Sequence, residues 1–82
     1  MGKLSDRLHL AKIVLHELKK IPLGRTQLEK KTVKKTGTHA TFESIFAYLI
    51  HTGRIEKTGE EYRAPYAITE KGLKLLEALE NE

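Results

Sequence analysis

Ala40, Thr41, Ser44, Ala47, Tyr48 and His51 share two properties. They are small, neutral or hydrogen-bonding, and helical spacing puts them on one face of the stretch Thr38–Gly53. None carries a formal charge, whereas an ordinary solvated helix face is rich in Lys and Glu. Such a smooth face suits close approach to another surface, and the DNA major groove is wide enough to admit a helix. Other chemistries find no constellation. His9 and His16 lie two helical turns apart, ~10 Å along the axis, too far for one metal ion, and no Cys or carboxylate completes a site. His39 and His51 stand at opposite ends of the central helix. No nucleophile has a paired base, and there is no phosphate-binding Gly loop or acid pair. An enzyme, a cofactor and a metal are therefore not expected.

The elements that must position this face follow from periodicity. Phe42, Ile45, Phe46, Leu49 and Ile50 form its apolar back, with Thr38 placed to cap the helix and Gly53 to close it in the left-handed conformation. Before it, Ser5 opens a helix to about Lys20, with Leu4, Leu8, Ala11, Val14, Leu15 and Leu18 as its core stripe. Leu10 and Ile13 widen that stripe. Pro22 and Gly24 break the chain, with room for a very short strand at Ile21–Gly24. Thr26-Gln27-Leu28-Glu29 has the form of a capping box and predicts a second helix to about Lys34, with Leu28 and Val33 inward. Lys35-Thr36-Gly37 then turns into the central helix.

After Gly53 the pattern alternates. Arg54–Lys57 predicts a strand with Ile55 inward, Thr58–Glu61 a turn, and Tyr62–Thr69 a returning strand that Pro65 confines to an edge or a bulge. Thr69 caps a last helix from Glu70 to about Glu80. In it Leu73 and Leu76 point one way, and Leu75, Ala78 and Leu79 extend the apolar arc.

The 82 residues form one domain, residues 1–82, with a small core. The chain has no Cys, which favours an intracellular, cytoplasmic home. MGKLSDRLHLAK has no long apolar run, so neither a secretion signal nor a membrane span is expected. The net charge is +4, and its distribution is uneven. Lys19, Lys20, Arg25, Lys30, Lys31, Lys34 and Lys35 crowd the centre, while Glu70, Glu77, Glu80 and Glu82 mark the tail. That polarity suits a protein with one side toward a polyanion. The lysines of the second helix, Lys30, Lys31, Lys34 and Lys35, are candidates for phosphate contact, as are Arg25 and Thr26 at its start.

Phe42…Phe46…Leu49…Gly53-Arg54-Ile55, followed by Tyr66-Ala67-Ile68-Thr69-Glu70-Lys71-Gly72-Leu73, resembles the winged helix-turn-helix superfamily over about residues 8–79. The Thr-Glu-Lys-Gly step is similar to that of small transcriptional regulators of bacteria, archaea and archaeal viruses. The resemblance implies an α+β, mostly helical fold: a three-helix core, a two-stranded wing and a C-terminal helix. It also implies that His39, Ala40, Thr41, Ser44 and Tyr48 reach base edges, through hydroxyls, an imidazole and methyl groups. Without Arg on this face, an A·T preference aided by DNA shape is expected. Lys57 and Arg63 are the wing cations, beside an acidic tip at Glu60 and Glu61. The expected function is sequence-specific binding of double-stranded DNA by a homodimer that regulates transcription, in the cytoplasm or, for a viral protein, that of its host. Leu10, Ile13, Leu75, Ala78 and Leu79 would form the dimer interface, with no small-molecule ligand or membrane involved. The alternatives are a winged helix that binds protein, or an architectural protein that coats DNA without specificity.

Overall fold

The computed structural model describes residues 4–36 and 39–81, with side chains over 8–33 and 40–81. The order is α1 (Leu4–Lys20), α2 (Arg25–Thr36), α3 (His39–His51), β1 (Ile55–Lys57), β2 (Tyr66–Ile68) and α4 (Glu70–Glu80). Ser5 is not the cap expected of it, because α1 already begins at Leu4; the expected cap Thr38, the turn residue Gly37 and the side chains of Leu4 and Ser5 lie outside what is described. α1 packs against α2, α3 and α4. Its buried stripe is Ala11, Val14, Leu15 and Leu18, and it meets Leu28, Phe42, Ile45, Phe46, Leu49, Ile55 and Leu76 in one core.

Pro22 biases Ile21 away from helical geometry, and α1 ends at Lys20. The short strand expected at Ile21–Gly24 is a single antiparallel bridge. The Leu23 N–H donates to the Tyr66 carbonyl at 3.1 Å and the Tyr66 N–H to Leu23 at 2.8 Å. This bridge moves the start of α2. Thr26 is not its cap; the helix already begins at Arg25. Leu23 is pinned in an extended pair, so the helix starts directly after Gly24. The Gly24 carbonyl accepts the first helical bond from the Leu28 N–H at 2.9 Å, and its own N–H donates to Gln27 Oε1 at 3.2 Å. That is the return half of a capping box, two residues upstream of the expected one. The buried face of α2 is also corrected: Leu28 and Thr32 are both 0% exposed, and Val33 is only half-buried. Thr32 can be buried because its hydroxyl donates to the Leu28 carbonyl at 2.7 Å.

α3 buries Phe42, Ile45, Phe46 and Leu49. Phe42 stacks on Phe46, with centroids 5.4 Å apart, and Tyr66 meets Phe46 edge-on at 4.9 Å. Ile50, expected in this stripe, is 38% exposed; it follows Leu49 by one residue and is rotated off the core by about 100°. The helix closes as expected. Gly53 has φ +73°, its N–H donates to the Ile50 carbonyl at 3.0 Å, and the Arg54 N–H donates to Leu49 at 2.9 Å. This is the paired bonding of a Schellman cap, which requires a left-handed residue.

β1 and β2 pair antiparallel, with Ile55 opposite Ile68 and Lys57 opposite Tyr66. The returning strand is shorter than Tyr62–Thr69. Pro65 has no N–H to continue the ladder, though its carbonyl accepts from both the N–H and the hydroxyl of Thr58, each at 2.9 Å. Residues 58–65 therefore form the wing loop rather than strand.

Thr69 joins the wing to α4. Its hydroxyl accepts from the Gly72 N–H at 3.1 Å, capping α4, and donates to the Gly53 carbonyl at 2.6 Å; its N–H donates to the Arg54 carbonyl at 3.1 Å. One side chain thus ties the end of α3 to the start of α4. The buried row of α4 is Gly72, Leu76 and Leu79, spaced i, i+4, i+7. Leu73, expected beside Leu76, lies off that row and is 41% exposed. We expect Thr69→Ala to lose the cap and the cross-link together, about 2 kcal/mol. Thr69→Ser should cost less than about 0.5 kcal/mol because its hydroxyl can make both bonds. Urea unfolding of the two variants measures the difference.

Candidate nucleic-acid interface

The core stripe of α3 sets what faces out. Because Phe42, Ile45, Phe46 and Leu49 are held inward, Ala40, Ser44, Ala47, Tyr48 and His51 are exposed and Thr41 is half-buried. The expected uncharged face is therefore present on the outside of the molecule. His39 begins α3, but its side chain lies outside the described residues, so Ala40 is the first described position of the face.

α2 supplies the cationic flank. Thr26, Lys30 and Lys31 are exposed. Lys34 and Lys35 lie in the last turns of α2, with their side chains outside the described residues. Arg25 makes contacts that the sequence did not indicate. Its guanidinium pairs with the Glu43 carboxylate of α3 and lies 5.9 Å from the centroid of the Phe46 ring. The first turn of α2 is thereby clamped to α3. Arg25 and Glu43 are eighteen residues apart, and nothing in local periodicity pairs them.

Across from the start of α2 stands the wing. Gly24, Arg25, Thr26 and Gln27 on one side and Lys57, Tyr62 and Arg63 on the other enclose an open cleft of about 650 Å³ with Ala64 and Tyr66. The Leu23–Tyr66 bridge forms its base by tying the two elements together. Lys57 and Arg63 are both exposed, as are Glu60 and Glu61 at the tip. Tyr62 is 90% exposed, with the Lys57 ammonium 6.0 Å from its ring centroid. The wing thus offers two cations and an aromatic ring beside a carboxylate pair.

Two residues of this surface were not singled out from the sequence. One is Glu43. The other is Arg54, whose guanidinium lies 5.6 Å from the centroid of the Tyr48 ring. The helix face itself has no arginine, but the Gly53 turn returns one to its C-terminal end. A glycine cap followed directly by Arg was the available signal, since a left-handed turn folds the next side chain back toward the helix it closes. The Arg54 Nε is buried with no hydrogen-bond partner among the described residues; the Tyr48 ring lies near the guanidinium without accepting from it in the usual sense.

The surface assigned to a dimer is smaller than expected. Leu10 and Leu75 pack on the core of their own chain, and Leu79 is buried. The contact between α1 and α4 consumes this apolar surplus. Of the expected interface residues, Ile13 is half-buried and Ala78 exposed.

No group of three or more metal-ligating side chains occurs among the described residues. No described helix is long and apolar enough to cross a membrane. No family model matches the chain, and no curated protein matches it. Among solved structures the chain is similar to F-93 of SSV1, at 23% identity and a TM-score of 0.64, over 88% of this chain and 86% of that one. At this identity the likeness is one of fold. With the element order and the hairpin between α3 and α4, it makes this chain an α+β winged helix-turn-helix domain.

Proposed function

We propose that this chain is a sequence-specific double-stranded DNA-binding protein that regulates transcription as a homodimer, with α3 in the major groove. The observation that carries the reading is the exposed, uncharged face of α3 bordered by Lys30 and Lys31 of α2. Ala40, Thr41 and Ser44 stand at the N-terminal half of the helix, the part that meets base edges when a recognition helix enters the groove. Their methyl and hydroxyl groups suit thymine methyls and base-edge acceptors. The lysines of α2 meet phosphates and set the register without reading sequence. A two-fold dimer places two such helices about one helical turn apart on a palindromic site. Ile13 and Ala78 are the residues of the expected interface that stay accessible for it.

Selection from a random duplex library at ~150 mM salt, where purely electrostatic binding is weakened, tests this directly. A palindromic motif is the expected result. Binding without a motif supports the architectural role instead, and no binding moves the α3 face to a protein partner. On the selected site, Lys31→Ala should weaken binding on every sequence and reduce the slope of log affinity against log salt by about one. Thr41→Ala should instead change the preferred bases with the salt slope intact. A change of preference from Lys31→Ala would mean that the two roles are assigned the wrong way round.

A further inference from the structure

A feature of the interface that DNA binding by α3 does not explain is that its best-placed arginine is already neutralised. Arg25 lines the cleft between α2 and the wing, yet its guanidinium pairs with Glu43. We infer that Glu43 is an internal stand-in for a DNA phosphate, and that duplex binding exchanges the Arg25–Glu43 pair for an Arg25–phosphate contact in this cleft. The inference rests on the DNA-binding reading above and adds to it the residue that sets its affinity.

Four observations support the exchange. First, both partners are partly exposed, with side-chain accessibilities of 42% and 37%. A pair in that setting is weak enough to be given up. Second, the same cleft is lined by Lys57 and Arg63. A phosphate entering it meets those cations as well as Arg25, whereas Glu43 is not among the residues that line it. Third, the cleft is bounded by the first turn of α2, whose N–H groups point out of the helix and favour an anion. The Thr26 hydroxyl stands beside them. Fourth, the aromatic contact of Arg25 with Phe46 keeps the stem of Arg25 at the cleft when its head group changes partner. A phosphate also accepts a bidentate guanidinium as well as a carboxylate does, so the exchange asks for no new geometry at Arg25.

The inference predicts a coupling that simple repulsion between Glu43 and DNA does not. The experiment is a double-mutant cycle with the full chain, Arg25→Gln, Glu43→Gln and the double variant, titrated with the library-selected duplex over a range of salt. Glu43→Gln should tighten binding about two- to fivefold, the worth of an exposed ion pair, equally on selected and unrelated duplexes. Arg25→Gln should lower the salt slope by about one. In the Arg25→Gln background, Glu43→Gln should have an effect below about 1.5-fold, because Glu43 then has no arginine at this position to hold back from phosphate. Each variant's thermal midpoint identifies any loss of fold, and Arg25→Met, which keeps an apolar stem beside Phe46 and removes the charge, repeats the cycle if Arg25→Gln is destabilised.

Equal tightening by Glu43→Gln in both backgrounds would overturn the exchange and leave only through-space repulsion. Weaker binding by Glu43→Gln would also overturn it, since Glu43 would then be aligning Arg25 rather than competing for it. If the parent chain binds no duplex, the DNA-binding reading falls and the exchange with it. If the parent chain binds and the cycle shows no coupling, the exchange alone falls.

Discussion

Gly72→Ala should destabilise the domain by about 3 kcal/mol, lowering the thermal midpoint by roughly 12–24 °C. Helix propensity alone gives the opposite sign. Gly72 lies in the first turn of α4, and replacing a helical glycine with alanine ordinarily gains about 0.8–1 kcal/mol. Packing decides here. A Cβ at Gly72 would overlap the Arg54 carbonyl oxygen and come within 2.7 Å of Ile68 Cγ1. The obstructing atom is backbone, and the Arg54 carbonyl accepts the Thr69 N–H that holds α4 in place. Neither side can retreat without breaking the link between the end of α3 and the start of α4. Calorimetry settles the sign: a raised midpoint would mean that α4 sits farther from the α3 exit than described. Because the same link sets the base of the wing, Gly72→Ala should also weaken binding to the selected duplex under conditions where the variant is still folded.

Phe42→Ala should remove a large share of the stability of the domain. Phe42 is fully buried, stacks on Phe46 and belongs to the single core that α1, α3 and α4 share. Truncating a buried Phe costs about 3–5 kcal/mol. At about 0.05–0.15 kcal/mol per residue, a domain of 82 residues holds about 4–12 kcal/mol, of which that loss is a large share. The expected result is loss of a cooperative unfolding transition near 37 °C, followed by circular dichroism. Ser44→Ala, on the opposite face of the same helix and exposed, should change stability by no more than about 0.5 kcal/mol. The pair separates the two faces of α3: one holds the domain together, and the other is turned outward. A large stability loss from Ser44→Ala would show that the outer face packs within the molecule and would undermine its assignment to DNA.

The proposed dimer has less apolar surface available than the amino-acid pattern suggested. A wide apolar arc on α4 looked like surface to spare, but Leu75 and Leu79 were needed to seat α4 on α1. Of the residues expected at a dimer interface, Ile13 is half-buried and Ala78 exposed. Sedimentation with and without the selected duplex distinguishes a dimer formed in solution from one assembled on DNA.

Much of this protein follows from local rules that a linear sequence carries in full. The two faces of α3 are set by helical spacing, since each residue's direction depends only on its distance from its neighbours along the helix. Gly53 closes α3 because only a residue tolerant of positive φ fits there, and Thr69 caps α4 because its hydroxyl reaches an N–H three residues on. The hairpin between α3 and α4 is likewise marked by a change from helical to alternating pattern. What depends on distant partners was decided by the tertiary structure. The start of α2 moved to Arg25 because Leu23 pairs with Tyr66, more than forty residues away. Thr32 replaced Val33 in the core because Leu28 fixed the rotation of α2 against α1, and the i−4 carbonyl satisfied the hydroxyl. Leu73 was turned out because Gly72, pressed against the Arg54 carbonyl, sets the rotation of α4. The pairing of Arg25 with Glu43 and the placing of Arg54 on Tyr48 have the same origin. An ion pair or a ring contact is set by where two elements meet, and that geometry exists only once the core has closed.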